Sequence, residues 1–150
     1  MESITPPEGF RHQAAIQVRW GDMDALGHVN NAVFLSYMEQ ARAMYVSDLD
    51  LWQGGRGSLG MILARVEIDF KTPLFAGDDV RVFTRTVRLG NSSLKLAQWI
   101  ARVKAGQAEI AAQALFTAVV YDYATNKSTP MPERWRGLIK AYEITPPSEA

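Results

Sequence analysis

From residue 61 to about 123 this chain runs strand after strand, and each connection is so short that a segment can only turn back on its neighbour. One long amphipathic helix precedes them, so the order favours a single antiparallel sheet wrapped on a single helix. The first of these segments, MILARVEIDFKT, sets Ile62, Ala64, Val66, Ile68 and Phe70 on one face. Arg65, Glu67, Asp69 and Lys71 take the other. A turn from Pro73 to Asp78 leads to a strand predicted over 79–89. Gly90-Asn91-Ser92 leads to one over 93–104, and Gly106-Gln107 to one over 108–123.

The helix is predicted from about 31 to 52, because Phe34, Tyr37, Met38, Ala41, Tyr45, Leu49 and Trp52 recur at three- and four-residue steps. Ser36, Glu39, Gln40, Arg42 and Ser47 lie opposite. Asn30 or Asn31 suits the N-cap, and Gly54-Gly55 would supply the stop. Before the helix, residues 14–20 (AAIQVRW) predict a strand with Ile16, Val18 and Trp20 on its core face. After Pro130-Met131-Pro132 a short helix is expected over about 133–142. The fold class is therefore α+β, β-α-β-β-β-β with a five-stranded sheet and a short C-terminal helix. Residues 1–13, with Pro6, Pro7 and Gly9, carry no period and predict a loose leader, and 143–150 a tail. With no repeat or internal boundary, residues 1–150 form one domain.

The last strand carries apolar residues on both faces, Ile110, Ala114, Phe116, Ala118 and Val120 on one and Leu115, Val119 and Tyr121 on the other. One helix covers only one face. A second apolar face predicts a homo-oligomer.

Charge narrows the function. Sixteen Lys and Arg balance sixteen Asp and Glu, so no net field draws nucleic acid or an anionic membrane. The absence of cysteine excludes disulfides, thiolate metal sites and a cysteine nucleophile, and two histidines cannot assemble a usual metal site. The N-terminal MESITPPEGFRHQ has no basic and apolar signal-peptide pattern, and no apolar run approaches a membrane span of roughly 20 residues. These features lead to the expectation of a soluble, cytoplasmic protein.

The chemistry gathers between Val18 and Val46. There a strand end meets a turn containing Gly21, Asp22, Asp24 and Gly27, and Asn30-Asn31 then opens the helix. This sets a carboxylate beside a helix N-terminus, where unpaired N–H groups and roughly half a positive charge would welcome a polarised carbonyl oxygen. Turns favour Asp for their own geometry, so Asp22 and Asp24 also have a purely structural reading. Asp22 is taken as the structural one. Gly55-Arg56-Gly57-Ser58-Leu59-Gly60 matches a dinucleotide fingerprint in letters only, because it follows a helix and precedes a strand.

The run Asp24-Ala25-Leu26-Gly27-His28-Val29-Asn30-Asn31, followed by Phe34-Leu35, Glu39 and Arg42, resembles the hotdog-fold acyl-CoA thioesterases of the 4-hydroxybenzoyl-CoA thioesterase type. The resemblance implies hydrolysis of an acyl or aryl thioester, with coenzyme A or an acyl carrier as part of the substrate and no separate cofactor. It implies Asp24 as general base or nucleophile, and Asn31 with its neighbours as the oxyanion contact. His28 reads either as a loop histidine hydrogen-bonded locally or as a group that positions substrate. Glu39 is the alternative carboxylate, although Gln40 departs from the family's second glutamate. Coenzyme A phosphates would run along the hairpin strands, with Arg88 and Ser93 as candidates beside Arg85, Lys95 and Ser92. The assembly implied is a homodimer or a dimer of dimers, a homotetramer. Trp20, Met23, Met38, Trp52 and Met61 are candidate acyl-pocket walls. A hotdog dehydratase and a non-catalytic acyl-thioester binding protein are the competing readings.

Overall fold

The computed structural model describes residues 4–52 and 57–149. Its sheet follows the order β1-β3-β4-β5-β2, with β1 at His12–Gln17, β2 at Leu59–Phe70, β3 at Asp79–Leu89, β4 at Ser93–Lys104 and β5 at Gln107–Asp122. These five strands pair antiparallel. Two short strands complete it: β6 (Lys127–Ser128) beside β5, and β7 (Ser148–Glu149) parallel to β3. Helix α1 (Asn31–Asp48) packs on β1, β3 and β4, and α2 (Glu133–Tyr142) lies where the sequence predicts it. The core joins Phe34, Tyr37, Met38, Ala41 and Tyr45 of α1 to Leu94, Leu96 and Ile100 of β4 and Val80 and Val82 of β3. Among the described residues no helix is long and apolar enough to cross a membrane.

Helix α1 stops earlier than expected. Asp50 adopts a left-handed φ of 58°, Leu51 N donates to Val46 O at 3.0 Å, and Asp50 N donates to Ser47 O at 3.0 Å. This is a Schellman stop with aspartate in the position that usually takes glycine, and the buried Leu51 seals it. Trp52 thus leaves the apolar face of α1. The predicted stop at Gly54-Gly55 lies outside the described residues.

Strand β1 starts earlier and ends sooner than its alternation suggests. The Asp22 carboxylate accepts the Arg19 N–H at 2.9 Å and folds Trp20–Asp22 into a 3-10 turn. Trp20 is consequently 86% exposed and is not a core residue.

From Ile4 onward the leader is not loose. Ile4 and Phe10 are buried against Phe83 and Ala101, with the Phe10 ring 5.0 Å from that of Trp99. Phe83 lies on the sheet face turned away from α1, so this segment covers apolar surface that would otherwise meet water. His12 is likewise buried in β1, with Nε2 2.8 Å from Asp48 Oδ2. The tail is docked too: Glu143 Oε2 accepts Thr86 N and, at 3.2 Å, the Tyr45 hydroxyl. Burial raises the Glu143 pKa.

The largest correction concerns β2. Its alternating apolar face largely misses the core: Ile62, Val66 and Phe70 are exposed, as is Leu63, while Leu59, Met61 and Ile68 pack partly against it and the Phe70 ring meets Phe34 edge-on at 5.3 Å. Strand β2 is the sheet edge, paired only with β5, and a bulge lies between Leu63 and Arg65. The outward residues Leu115, Val119 and Tyr121 of β5 are half-buried. The unpartnered apolar surface therefore sits on β2 rather than on the last strand.

The β4–β5 turn holds two positive φ values, 52° at Ala105 and 75° at Gly106. Asparagine tolerates that conformation better than alanine in a two-residue hairpin. Ala105→Asn is expected to raise stability by about 0.5–1 kcal/mol. Urea unfolding checks this through an increased midpoint at an unchanged slope.

Candidate active site

The segment from Arg19 to Asn30 is locked at several points before it delivers the chain to α1. Asp24 N donates to His28 O at 2.9 Å, Gly27 N to Asp24 O at 3.1 Å, and Asn30 N to Asp22 O at 3.1 Å. Gly27 turns at φ 86°, a conformation that side chains disfavour. Met23 and Val29 form an isolated bridge, and Val29 N reaches Leu74 O at 2.8 Å, which ties the turn to the β2–β3 connection.

Asp22 braces this loop from inside. Its buried carboxylate accepts the Tyr37 hydroxyl at 2.7 Å, the Arg19 N–H at 2.9 Å and Arg19 Nη2 at 3.2 Å. Burial pushes the Asp22 pKa up, but the hydrogen bonds from Tyr37 and Arg19 outweigh it and leave it below the usual carboxylate value. Burial, followed by the bond to Asp22, raises the Tyr37 pKa. Periodicity assigns Tyr37 to the core and says nothing of its hydroxyl, so sequence reasoning misses this brace. The pairing of a mid-helix tyrosine with an upstream turn aspartate was the available signal.

Asp24 is different. Its Oδ1 accepts Leu26 N at 2.9 Å in an Asx turn, while its Oδ2 lies 3.9 Å from His28 Nδ1, and both side chains are partly exposed. His28 Nδ1 also stands 3.4 Å from Val29 O. Asn30 is the N-cap, its Oδ1 accepting Ala32 N at 2.9 Å, and Val33 N bonds to Asn30 O at 2.9 Å. Asn31 opens the helix, exposed, and among the described residues its N–H has no protein acceptor. One partly exposed carboxylate, one imidazole and one helix N-terminus with an open donor thus share a short, rigid segment. Such a group can remove a proton or attack a carbonyl while an adjacent N–H stabilises the developing oxyanion.

The other candidates lie elsewhere. Glu39 is exposed about two turns down α1. Arg42, three residues on, turns inward, donating through Nη1 to Gln98 Oε1 at 2.9 Å and lying 4.2 Å over the Phe116 ring. Arg88 is at the end of β3 opposite Lys95, and Ser93 starts β4 beside Gly90. The Asp24 loop adjoins the other end of β3, about 30 Å away at roughly 3.3 Å per residue. Within one chain Arg88 and Ser93 are therefore not brought to Asp24. A cavity of about 730 Å³ between α1 and β2, β4 and β5 is lined by Glu39, Arg42, Trp52 and Met61. Trp20 and Met23 do not line it, and Met38 is fully buried core. Among the described residues no group of three or more His, Asp or Glu side chains could hold a metal.

Residues 18–138 match a family model described as the thioesterase-like superfamily. A long-chain acyl-CoA thioesterase of Escherichia coli is 30% identical over 118 residues, covering 77% of this chain and 87% of the relative. A 1,4-dihydroxy-2-naphthoyl-CoA hydrolase of Rippkaea orientalis is 30% identical over 129 residues, covering 84% and 93%. Among solved structures, a Thermus thermophilus thioesterase complexed with coenzyme A and zinc superposes with a TM-score of 0.78 at 40% identity. The match covers 93% of this chain and 100% of that one.

Proposed function

This chain belongs to the thioesterase-like superfamily and is a hotdog-fold acyl-CoA thioester hydrolase, and we propose that Asp24 is its catalytic carboxylate. The observation that carries this reading is the Asx turn, which engages one oxygen of Asp24 and leaves the other beside His28 at the start of α1. With the thioester carbonyl against the Asn31 N–H, Asp24 either attacks the carbonyl carbon or takes a proton from the attacking water. The tetrahedral intermediate then collapses and the C–S bond breaks, giving the free acid directly in the water route, or an acyl–Asp24 anhydride that a water molecule then hydrolyses to the acid and free Asp24 in the other. The departing thiol has a pKa of about 8.5 if it resembles cysteine, so it leaves without strong general-acid help. His28 orients Asp24 and the water. Glu39 is the rival carboxylate. Hydrolysis of a panel of fatty-acyl and aryl coenzyme A thioesters tests the activity, and wild-type rates in Asp24→Asn beside an inactive Glu39→Gln would move the catalytic role to Glu39.

We also propose that the chain works as a homodimer joined through β2, whose outer edge is unpaired and whose Leu63 and Val66 are exposed. Two β2 strands meeting antiparallel would bring the β3–β4 turn of one chain to the same end of the joint sheet as the partner's Asp24 loop. Arg88 and Ser93 would then serve the nucleotide end of coenzyme A across the interface. The double variant Leu63→Lys, Val66→Lys is expected to sediment as a monomer. A wild-type protein that is itself monomeric at micromolar concentration overturns the proposal.

A further inference from the structure

The leader covers the sheet face turned away from α1, and it lies outside the residues 18–138 that match the family model. Beneath it Phe83 stands opposite Trp99 across the β3–β4 pair, and Ala101 follows on the same face of β4. Phe83 and Ala101 are fully buried although α1 packs on the other side of the sheet. Ala97, Val103 and Ile110 extend this apolar surface and are partly buried. Ile4 and Phe10 close it, with the Phe10 ring 5.0 Å from Trp99 and 6.2 Å from Phe83.

Several contacts seat this strap. Phe10 N donates to Pro7 O at 3.1 Å in a turn that carries Gly9 at φ 85°. The Arg85 guanidinium lies 5.5 Å from the centre of the Phe10 ring, and a Cβ on Gly9 would come within 2.8 Å of Arg85 Nη1. Conformation and space both favour glycine there. Arg11 Nη1 donates to Tyr142 O at 3.0 Å and ties the end of the strap to α2.

Two sheets that pack face to face lie about 10 Å apart. The strap fills that layer, so a second sheet cannot approach while it is seated. Once bare, the face fits a second copy of this chain, because an apolar patch can meet its own image across a twofold axis. Its charged border does not oppose this. Arg81 and Asp79 neutralise each other within the chain, Nε 2.8 Å from Oδ1 and Nη2 2.9 Å from Oδ2, and sixteen basic residues balance sixteen acidic ones overall.

Resting on the β2 dimer above, we propose that the outer face of β3 and β4 is a second self-association surface, which residues 4–10 of the same chain cover so that the assembly stops at a dimer. A dimer of dimers forms through this face once the strap leaves it.

The test is the full-length double variant Ile4→Asp, Phe10→Asp. Neither residue belongs to the core around α1, and two charges on the strap oppose its return to an apolar surface. Sedimentation equilibrium at micromolar concentration should read twice the wild-type mass, and the amides of residues 4–10 should lose their protection from hydrogen exchange. In the Leu63→Lys, Val66→Lys background the same change should turn a monomer into a dimer, which separates this face from β2. Gly9→Val places a β-branched side chain at a disfavoured positive φ. It should double the mass as well, and it carries the test if the first variant fails to fold. An exposed strap with the mass unchanged in both backgrounds overturns the proposal. So does a wild type that is already tetrameric with its strap protected, or ill-defined aggregates in place of a doubled mass. A monomeric wild type that becomes a dimer on strap release overturns the β2 dimer alone and leaves the covered face standing.

Discussion

Asp24→Asn is expected to lower kcat for the best thioester by about 10²–10⁴-fold, the usual loss when a positioned proton-transfer group disappears, with the fold and assembly unchanged. The amide can keep its Oδ1 bond from Leu26 N, so the Asx turn survives. What disappears is the basic and nucleophilic oxygen next to His28. Steady-state kinetics with thermal unfolding on the same preparation separates the two effects. A variant that loses stability in proportion to activity shows Asp24 to be a turn residue only.

Asp22→Ala is expected to act in the opposite way, through stability. It strands the buried Tyr37 hydroxyl, at a cost of about 1–3 kcal/mol, and also removes the acceptor of the partly buried N–H of the exposed Arg19, a smaller loss. Asp22→Asn should be far milder, because its amide oxygen can take the place of Oδ2 and the amide nitrogen then faces only the largely exposed Arg19 head group. The difference between Ala and Asn, measured by urea unfolding at neutral pH, identifies the hydrogen bonds as the cause.

The pH dependence has a definite sign. The folded pKa of Asp22 is below 3.8, so its carboxylate contributes stability that is fully present above 3.8 and is lost as pH falls through the folded value. The stability gap between wild type and Asp22→Asn should therefore narrow below about pH 3.8. A gap that widens on acidification contradicts the brace.

The sequence carried the secondary structure well wherever turn chemistry and alternation agreed. Gly90-Asn91-Ser92 and Gly106 bound β3, β4 and β5 as predicted, and Pro132 starts α2 at Glu133. It failed where a side chain took over a backbone role. Asp50 ended α1 in a conformation that glycine usually fills, and the Asp22 carboxylate cut β1 short before Trp20.

The candidate site divides along the same line. Asp24, His28, Asn30 and Asn31 are close in sequence, so the motif and the resemblance built on it were enough to gather them on one turn. The Tyr37 brace, the Gln98 anchor of Arg42 and the wide separation of Arg88 from the Asp24 loop all depend on contacts across long stretches of chain.

By itself the sequence determined the α+β class, the order of the main elements and the short candidate segment from Asp24 to Asn31, because hydrophobic period and turn chemistry act over a few residues. Only the tertiary structure decided which apolar faces are satisfied. Residues 4–10 closed over Phe83 while β2 was left at the edge, because an alternating pattern marks a face as apolar but cannot say what will cover it.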